Sequence, residues 1–300
     1  MNHVVKNQGF RCGTVAIVGR PNVGKSTLLN HLVGQKVSIT SRKAQTTRHR
    51  LVGIQTDPMA QFIFVDTPGF QLTHQNGLNK LLNRTVNQVI ADTDVIWFVL
   101  EGKHFGQADQ AVLDILAPYE NVILVINKID QAANKNALLP FIEGVQDKRK
   151  FAAIVPISAK TGTQLELLKE VTAKMLPQQA PIYGPDDITD RSERFIAAEF
   201  VREKVFRFVG EELPYSTSVV IEQFELEGAL RRIHIAIVVE KASQKAILIG
   251  AKGEKLKKIG TEARIEMERM FGGKVYLELW VRVKKGWADD NALLRQYGYE

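Results

Sequence analysis

A single cysteine, Cys12, stands in 300 residues, which excludes a disulfide within the chain and fits a reducing compartment. Long apolar runs are missing as well. The longest, "VIWFVL" and "VILVI", fall far short of the roughly 20 residues that span a bilayer. The opening "MNHVVKNQGFRCG" has no continuous apolar core of the kind a secretory signal carries. The six histidines, His3, His31, His49, His74, His104 and His234, are scattered without the spacing of a metal-binding set. No internal repeat or low-complexity tract is present. These absences predict a soluble cytoplasmic chain without a transition-metal site, and leave peripheral membrane contact open. What is there, 45% hydrophobic residues in a chain of this length, is enough for two ordinary domains.

The net charge of +7 is unevenly placed. Residues 1–185 carry 20 Lys+Arg against 13 Asp+Glu, whereas residues 186–300 carry 20 against 20. Whole-domain charge therefore gives no support for a polyanionic partner in the second half. Local charge does: Lys241, Lys245, Lys252, Lys255, Lys257 and Lys258 face only Glu254 between positions 241 and 258. A charge run of this kind is more often a solvated face, so it needs a structural partner before it means binding.

Apolar strand candidates "TVAIVG", "QFIFVDT", "VIWFVLEG", "NVILVINK" and "AAIVPISA" alternate with helical stretches, and "LVGIQTD" fits an edge strand. That pattern predicts an α/β domain, a mainly parallel sheet with helices on both faces, over residues 1–178. "LPQQAPIYGPDDITDRS" breaks it with three prolines and a glycine, marking a linker over 179–190. Beyond it, "RSERFIAAEFVREKVFRFVG" reads as an amphipathic helix ending at Gly210. Two strands follow, the second with Ile233, Ile235, Ile237 and Val239 on one face. Leu256, Ile259, Ala263, Met267 and Met270 keep helical spacing, and Val275, Leu277, Leu279, Val281 and Val283 alternate in a last strand. The order predicts a small α+β domain over 191–300, with a C-terminal helix in "ADDNALLRQYGYE".

"GRPNVGKS", Gly19 to Ser26, matches G-x-x-x-x-G-K-[ST] between a strand and a helix. Glycines let successive backbone N–H groups surround phosphate oxygens, and the helix N-terminus adds partial positive charge. The candidate nucleotide contacts here are Gly19, Arg20, Pro21, Asn22, Val23, Gly24, Lys25, Ser26 and Thr27. Lys25 has the reach for the β- and γ-phosphates and Ser26 carries the hydroxyl that ligates Mg²⁺. "DTPGF" supplies Asp66 for the metal shell, Thr67, Pro68, and the Gly69 N–H for the γ-phosphate. "NKID" supplies Asn127, Lys128 and Asp130. An aspartate there accepts from both N1–H and the exocyclic amine of guanine, an edge adenine lacks. Each motif alone has an ordinary turn as its bland explanation; three in this order, followed by "ISAK", do not. Between the first two lies "SRKAQTTRHR", where one of Thr46 and Thr47 should reach Mg²⁺ in the GTP state. Arg42, Lys43, Arg48 and Arg50 around it are either solvated charge or an RNA contact.

A second glycine–lysine loop, "IGAKGEK", has no G-K-[ST] and joins two helical stretches. That is the KH arrangement, in which G-x-x-G clamps single-stranded nucleotide backbone. Its candidate RNA contacts are Ile249, Gly250, Ala251, Lys252, Gly253, Lys255, Lys257 and Lys258. The competing explanation is a helix connection with solvated lysines. Trp280 and Trp287 are open between strand packing and base stacking. Cys12 is read as packing rather than a nucleophile, and Met267 and Met270 as core.

Residues 13–176 resemble the translation-factor-type GTPase domains, and "GRPNVGKST" with "QTTR" resembles their Era-like branch. Joined to a type II KH domain, and with "DDITDRSERF", "ELPYS", "GAKGEKLKKIGTEAR" and "LELWVRVKKGWADD", nearly the whole chain is similar to the Era family of small-ribosomal-subunit assembly GTPases. The resemblance implies that Thr47 is the Mg²⁺ ligand, that Lys128 packs on the base, and that Ser158, Ala159 and Lys160 help hold guanine. Lys25, Thr47 and Gly69 would then carry the catalysis. Asn22 matches a residue that contacts a catalytic K⁺ in relatives. The resemblance further implies a monomer that binds GTP and GDP and the single-stranded 3′ region of 16S rRNA on the small subunit, with room for peripheral contact at the inner membrane. Where many GTPases place a water-orienting glutamine after "DTPG", this chain has Phe70, and Gln71 is too generic to take the role. Slow intrinsic hydrolysis is expected. A transmembrane or long amphipathic basic helix would favour a GTP-regulated membrane or cell-cycle protein, and an RNA-modifying enzyme would need a second catalytic constellation; none of these is evident.

Overall fold

The computed structural model of the chain describes residues 9–41, 47–69, 77–131, 138–210, 213 and 217–297. They fall into two compact units. Those within Met1–Ser38, His49–Thr73 and Leu82–Asp190 form the first; those within Ile39–Arg48, His74–Leu81 and Arg191–Glu300 form the second.

The first unit is built on strands β1 (Arg11–Val18), β2 (Leu51–Thr56), β3 (Ala60–Asp66), β4 (Val95–Glu101), β5 (Val122–Asn127) and β6 (Ala153–Pro156), in the order β2-β3-β1-β4-β5-β6. Only β2 runs antiparallel, as the edge of a hairpin with β3. Between the strands lie helices α1 (Lys25–Val33), α2 (Gly77–Ala91, of which residues 77–81 group with the second unit), α3 (Gln107–Ile115) and α4 (Leu138–Gln146), and α5 (Leu165–Ala173) follows β6. Strands β3 and β4 are buried along almost their whole length, which is why their sequences are apolar runs rather than alternations. The polar residues then collect at the C-terminal ends of β1, β3, β4 and β5, the edge of a parallel sheet where ligands bind. Residues 179–190, expected as a linker, are strapped across β2 and β3. Ile188 O accepts from the Ile54 N–H at 2.9 Å, Thr189 Oγ1 donates to Val52 O at 2.6 Å, and the Gln61 carboxamide accepts from Ile182 and Tyr183.

The second unit runs α6 (Glu193–Phe208), β7 (Thr217–Glu227), β8 (Leu230–Val239), α7 (Ala242–Ile249), α8 (Glu254–Phe271), β9 (Lys274–Val283) and α9 (Asn291–Gln296). β8 pairs antiparallel with β7 and parallel with β9. Ile233, Ile235, Ile237 and Val239 are fully buried against Ile259, Ala263 and Met267 of α8, each large aliphatic worth roughly 2 kcal/mol of burial. Trp287 is fully buried with its ring 6.0 Å from Tyr297, so it packs the C-terminal segment; Trp280 is half-buried and edge-on to His234.

Helix α6 corrects the sequence reading. It ends at Phe208, two residues early, because Val209 is already extended. Nor is it amphipathic: Glu199, Arg202, Glu203 and Lys204 are all buried. Pairing makes that tolerable. Arg202 grips Glu199 through two hydrogen bonds, at 2.7 and 2.6 Å, and Lys204 meets Glu203 and Glu266. Ile39, Thr40 and Arg48 pack against this helix and its core. Ile39 joins its apolar core, the Thr40 N–H donates to Glu203 Oε1, and Arg48 lies over the Phe206 ring.

Candidate functional site: nucleotide cradle and G-x-x-G groove

Backbone geometry makes the first loop a cradle. Gly19 (φ 154°), Asn22 (φ 65°) and Gly24 (φ 102°) take positive φ, a region glycine enters freely and asparagine tolerates. A Cβ on Gly24 would collide with the Asn127 carboxamide, and one on Gly69 would lie 2.9 Å from the Pro21 ring. These glycines are fixed by close approach as well as by dihedral.

Lys25 is buried, and its Nζ donates to the Gly19 and Arg20 carbonyls at 3.0 Å each. Burial pushes its ammonium down to about 8, opposed by Asp66 and reinforced by Arg20. Ser26 Oγ donates to Asp66 Oδ2 at 2.7 Å, and Ser38 Oγ reaches the same oxygen at 2.9 Å. This hydroxyl–carboxylate set is all oxygen and fits a hard cation such as Mg²⁺. Thr67 Oγ1 donates to Ile17 O, pinning the "DTPG" turn to β1.

Asn127 staples three loops together. Its Nδ2 donates to Val23 O at 2.8 Å, while its Oδ1 accepts from the Lys128 and Ala159 N–H groups at 2.7 and 2.9 Å. Buried and so engaged, it fixes the "NKID" loop against the "GRPNVGKS" loop and "SAK". Lys128 follows at φ 65°. Ser158 Oγ donates to Asp130 Oδ1 at 2.6 Å, which aims an exposed carboxylate outward, and Lys160 is exposed beside it.

Thr47 is buried and, like residues 39–41 and Arg48, groups with the second unit. Arg48 is not solvated charge in this structure. It is 2% exposed, with Nη1 donating to Thr217 O at 2.7 Å. Thr46, Arg42, Lys43, Phe70 and Gln71 lie outside the described residues.

In the second unit, Gly250 (φ 71°), Lys252 (φ 47°) and Gly253 (φ 80°) turn the chain from α7 into α8. A Cβ on Gly250 would sit 2.8 Å from Lys255 Cβ. Gly253 caps α8 with no side-chain bond, so its first N–H groups face outward with their partial positive charge. Ala251 and Lys252 are exposed, and a groove of about 380 Å³ opens beside them, lined by Gly253, Leu256, Lys257, Gly260, Thr261, Arg264, Leu277 and Leu279. Gly260 brings α8 close to β9: a Cβ there would meet Leu279 at 3.2 Å. Lys258 points elsewhere, with Nζ 4.6 Å from the Phe208 ring. The groove's Leu256, Gly260, Thr261, Arg264, Leu277 and Leu279 were missed from sequence. A second helical stripe (253, 256, 257, 260, 261, 264) alongside the core stripe was the available signal.

A GTPase family model described as 50S ribosome-binding GTPase matches residues 14–128, and a KH-domain model matches 212–288. GTPase Era of Nitrosomonas eutropha is 60% identical over 97% of this chain and 99% of its own length, and that of Chromobacterium violaceum is 55% identical over 97% and 98%. The chain belongs to the Era family of GTPases. Two solved structures, a variant of Aquifex aeolicus Era bound to GDP·AlF4⁻ and Era in complex with MgGDPNP and nucleotides 1506–1542 of 16S ribosomal RNA, each align with TM-score 0.93 at 40% identity. Both alignments cover 97% of this chain and 99% of theirs. The first unit is thus a P-loop GTPase domain that hydrolyses GTP to GDP and phosphate, followed in sequence by a KH domain. Among the described residues no helix is long and apolar enough to cross a membrane.

Proposed function

We propose that this family member is a slow, Mg²⁺-dependent GTP switch whose KH domain clamps the single-stranded 3′ region of 16S rRNA during small-subunit assembly. The carrying observation is the coexistence of the two cradles in a chain that aligns end to end with an Era bound to MgGDPNP and 16S rRNA nucleotides.

The phosphate loop's N–H groups receive the β- and γ-phosphates, and Lys25 leaves the Gly19 and Arg20 carbonyls to meet them. Ser26 and Asp66, with Thr47 once it is ordered there, would hold Mg²⁺, which would neutralise phosphate charge. The Gly69 N–H donates to the γ-phosphate, and Asp130, steadied by Ser158, reads the guanine edge. Thr47 stands next to Arg48, whose side chain is committed to Thr217 and Phe206 within the second unit. A nucleotide that orders Thr47 acts as a switch only by binding its alternative arrangements with unequal affinity. On the RNA side, Lys252, Lys255 and Lys257 supply charge and Leu277 and Leu279 meet base faces.

Crosslinking the protein to RNA in cells and sequencing the fragments should place most contacts in the last few tens of nucleotides of 16S rRNA; contacts spread evenly over ribosomal RNA would overturn the assignment. Asn22, exposed at the mouth of the loop, is proposed to hold K⁺. Hydrolysis should therefore run several-fold faster in KCl than in NaCl, and Asn22→Ala should abolish the difference while leaving the sodium rate. Equal rates in the two salts remove that role.

A further inference from the structure

Glu101, the last residue of β4, is half-buried between two cations from different loops. Its Oε2 lies 3.0 Å from Lys128 Nζ and 3.4 Å from Arg20 Nη2. Arg20 Nε lies 3.2 Å from Oδ1 of Asp109, which is 1% exposed and whose other oxygen accepts the Gly106 N–H at the start of α3. Four alternating charges, Lys128, Glu101, Arg20 and Asp109, thus run from the base loop to the phosphate loop and end on a buried anchor. The Arg20 carbonyl is in turn one of the two that hold Lys25. Register brings the pieces together, since Glu101 pairs with Asn127 across β4 and β5. Burial alone would raise the Glu101 carboxyl, yet Lys128, Arg20 and Lys103 outweigh it and hold it below the usual carboxylate range, so the bridge stays charged at neutral pH.

We propose that Glu101 is a positioning residue for nucleotide retention: it fixes the Lys128 ammonium so that the lysine stem lies across the base, and ties that lysine through Arg20 to the phosphate loop. Lys128 has a long, rotamer-rich side chain at a left-handed backbone position, and without an anchor its ordering would be drawn from the binding free energy of the nucleotide. The inference rests on the base-site assignment above.

The test is stopped-flow release of fluorescent GDP from the full chain and from Glu101→Gln, Glu101→Asp, Lys128→Gln and the Glu101→Gln/Lys128→Gln double variant. Each variant is checked by thermal melting. Glu101→Gln, near-isosteric, should speed release about fivefold, in keeping with loss of a half-exposed charged pair. KM for GTP should rise with it while kcat at saturation moves less than release does. Glu101→Asp, one methylene shorter, should recover part of the loss. The double variant should release GDP no more than about twofold faster than Lys128→Gln, because both changes remove the same contact. Release from Glu101→Gln at the parent rate, or a double variant whose effect is the product of the singles, overturns the proposal. If Lys128→Gln itself releases GDP at the parent rate, the base-site assignment falls and this inference with it. Faster release from Lys128→Gln together with parent-rate release from Glu101→Gln removes the inference alone.

Discussion

Replacing Asp130 by asparagine should weaken GTP binding about 100-fold and move preference to xanthosine triphosphate. The carboxylate accepts the Ser158 hydroxyl at 2.6 Å through Oδ1, which leaves acceptor capacity for two donors along the guanine edge. Hydrogen bonds to a charged group are worth roughly 1.5–3 kcal/mol each when lost. Asp130 is exposed in the structure, so the lower end applies: two weakened bonds cost about 3 kcal/mol, or roughly 100-fold. Asparagine presents an amide N–H₂ where the guanine amine also donates, a mismatch; xanthine places a carbonyl there and restores the pair. Equilibrium titration of the variant with both nucleotides decides it. GTP affinity within a few-fold of the parent, with no gain for xanthosine triphosphate, would mean that Asp130 does not read the base.

The parts of this site that were legible in the sequence are those specified by consecutive residues. "GRPNVGKS" encodes a backbone path, and Gly19, Asn22 and Gly24 take the positive φ that path demands. The apolar strands were equally plain because the sheet buries them on both faces, so composition alone marked them. What the sequence did not reveal depends on long-range register. Asn127 reaches Val23 and Glu101 reaches Arg20 only because β4 and β5 end in register, Glu101 opposite Asn127, beside the loop that leaves β1; no local pattern predicts that Asn127 becomes a staple. Helix α6 failed for a related reason. Its charges alternate with apolar residues as on a surface helix, yet Arg202, Glu203 and Lys204 are buried under elements including a segment some 160 positions earlier in the chain. The same segment explains Arg48, whose guanidinium is used internally by Thr217 and Phe206.

Substituting Ala251 and Lys252 together with aspartates should abolish RNA binding while GTP hydrolysis without RNA stays measurable. The positions suit the test. Both side chains are exposed, and Lys252 takes φ 47°, a left-handed conformation that aspartate tolerates better than most residues. The double variant should therefore keep the fold of the second unit, whose core of Ile233, Ile235, Ile237 and Met267 is untouched. The losses add up in one place. One cation that meets phosphate disappears, and two anions are set at the N-terminus of α8, where outward N–H groups would otherwise receive the RNA backbone. At about 1 kcal/mol for each unit charge some 4 Å from a phosphate in water, the change is roughly 3 kcal/mol and affinity falls by about 100-fold or more. Losing Lys252 should also lower the slope of log affinity against log salt by about 0.7, the single-strand value for one phosphate. The decisive measurement is a salt titration of binding to a single-stranded RNA carrying the 3′ end of 16S rRNA. An unchanged slope with unchanged affinity would remove the phosphate clamp from this loop. It would shift RNA recognition to the Leu277 and Leu279 groove alone, where the dependence on salt should be shallow and Leu279→Ala should cost more than any lysine.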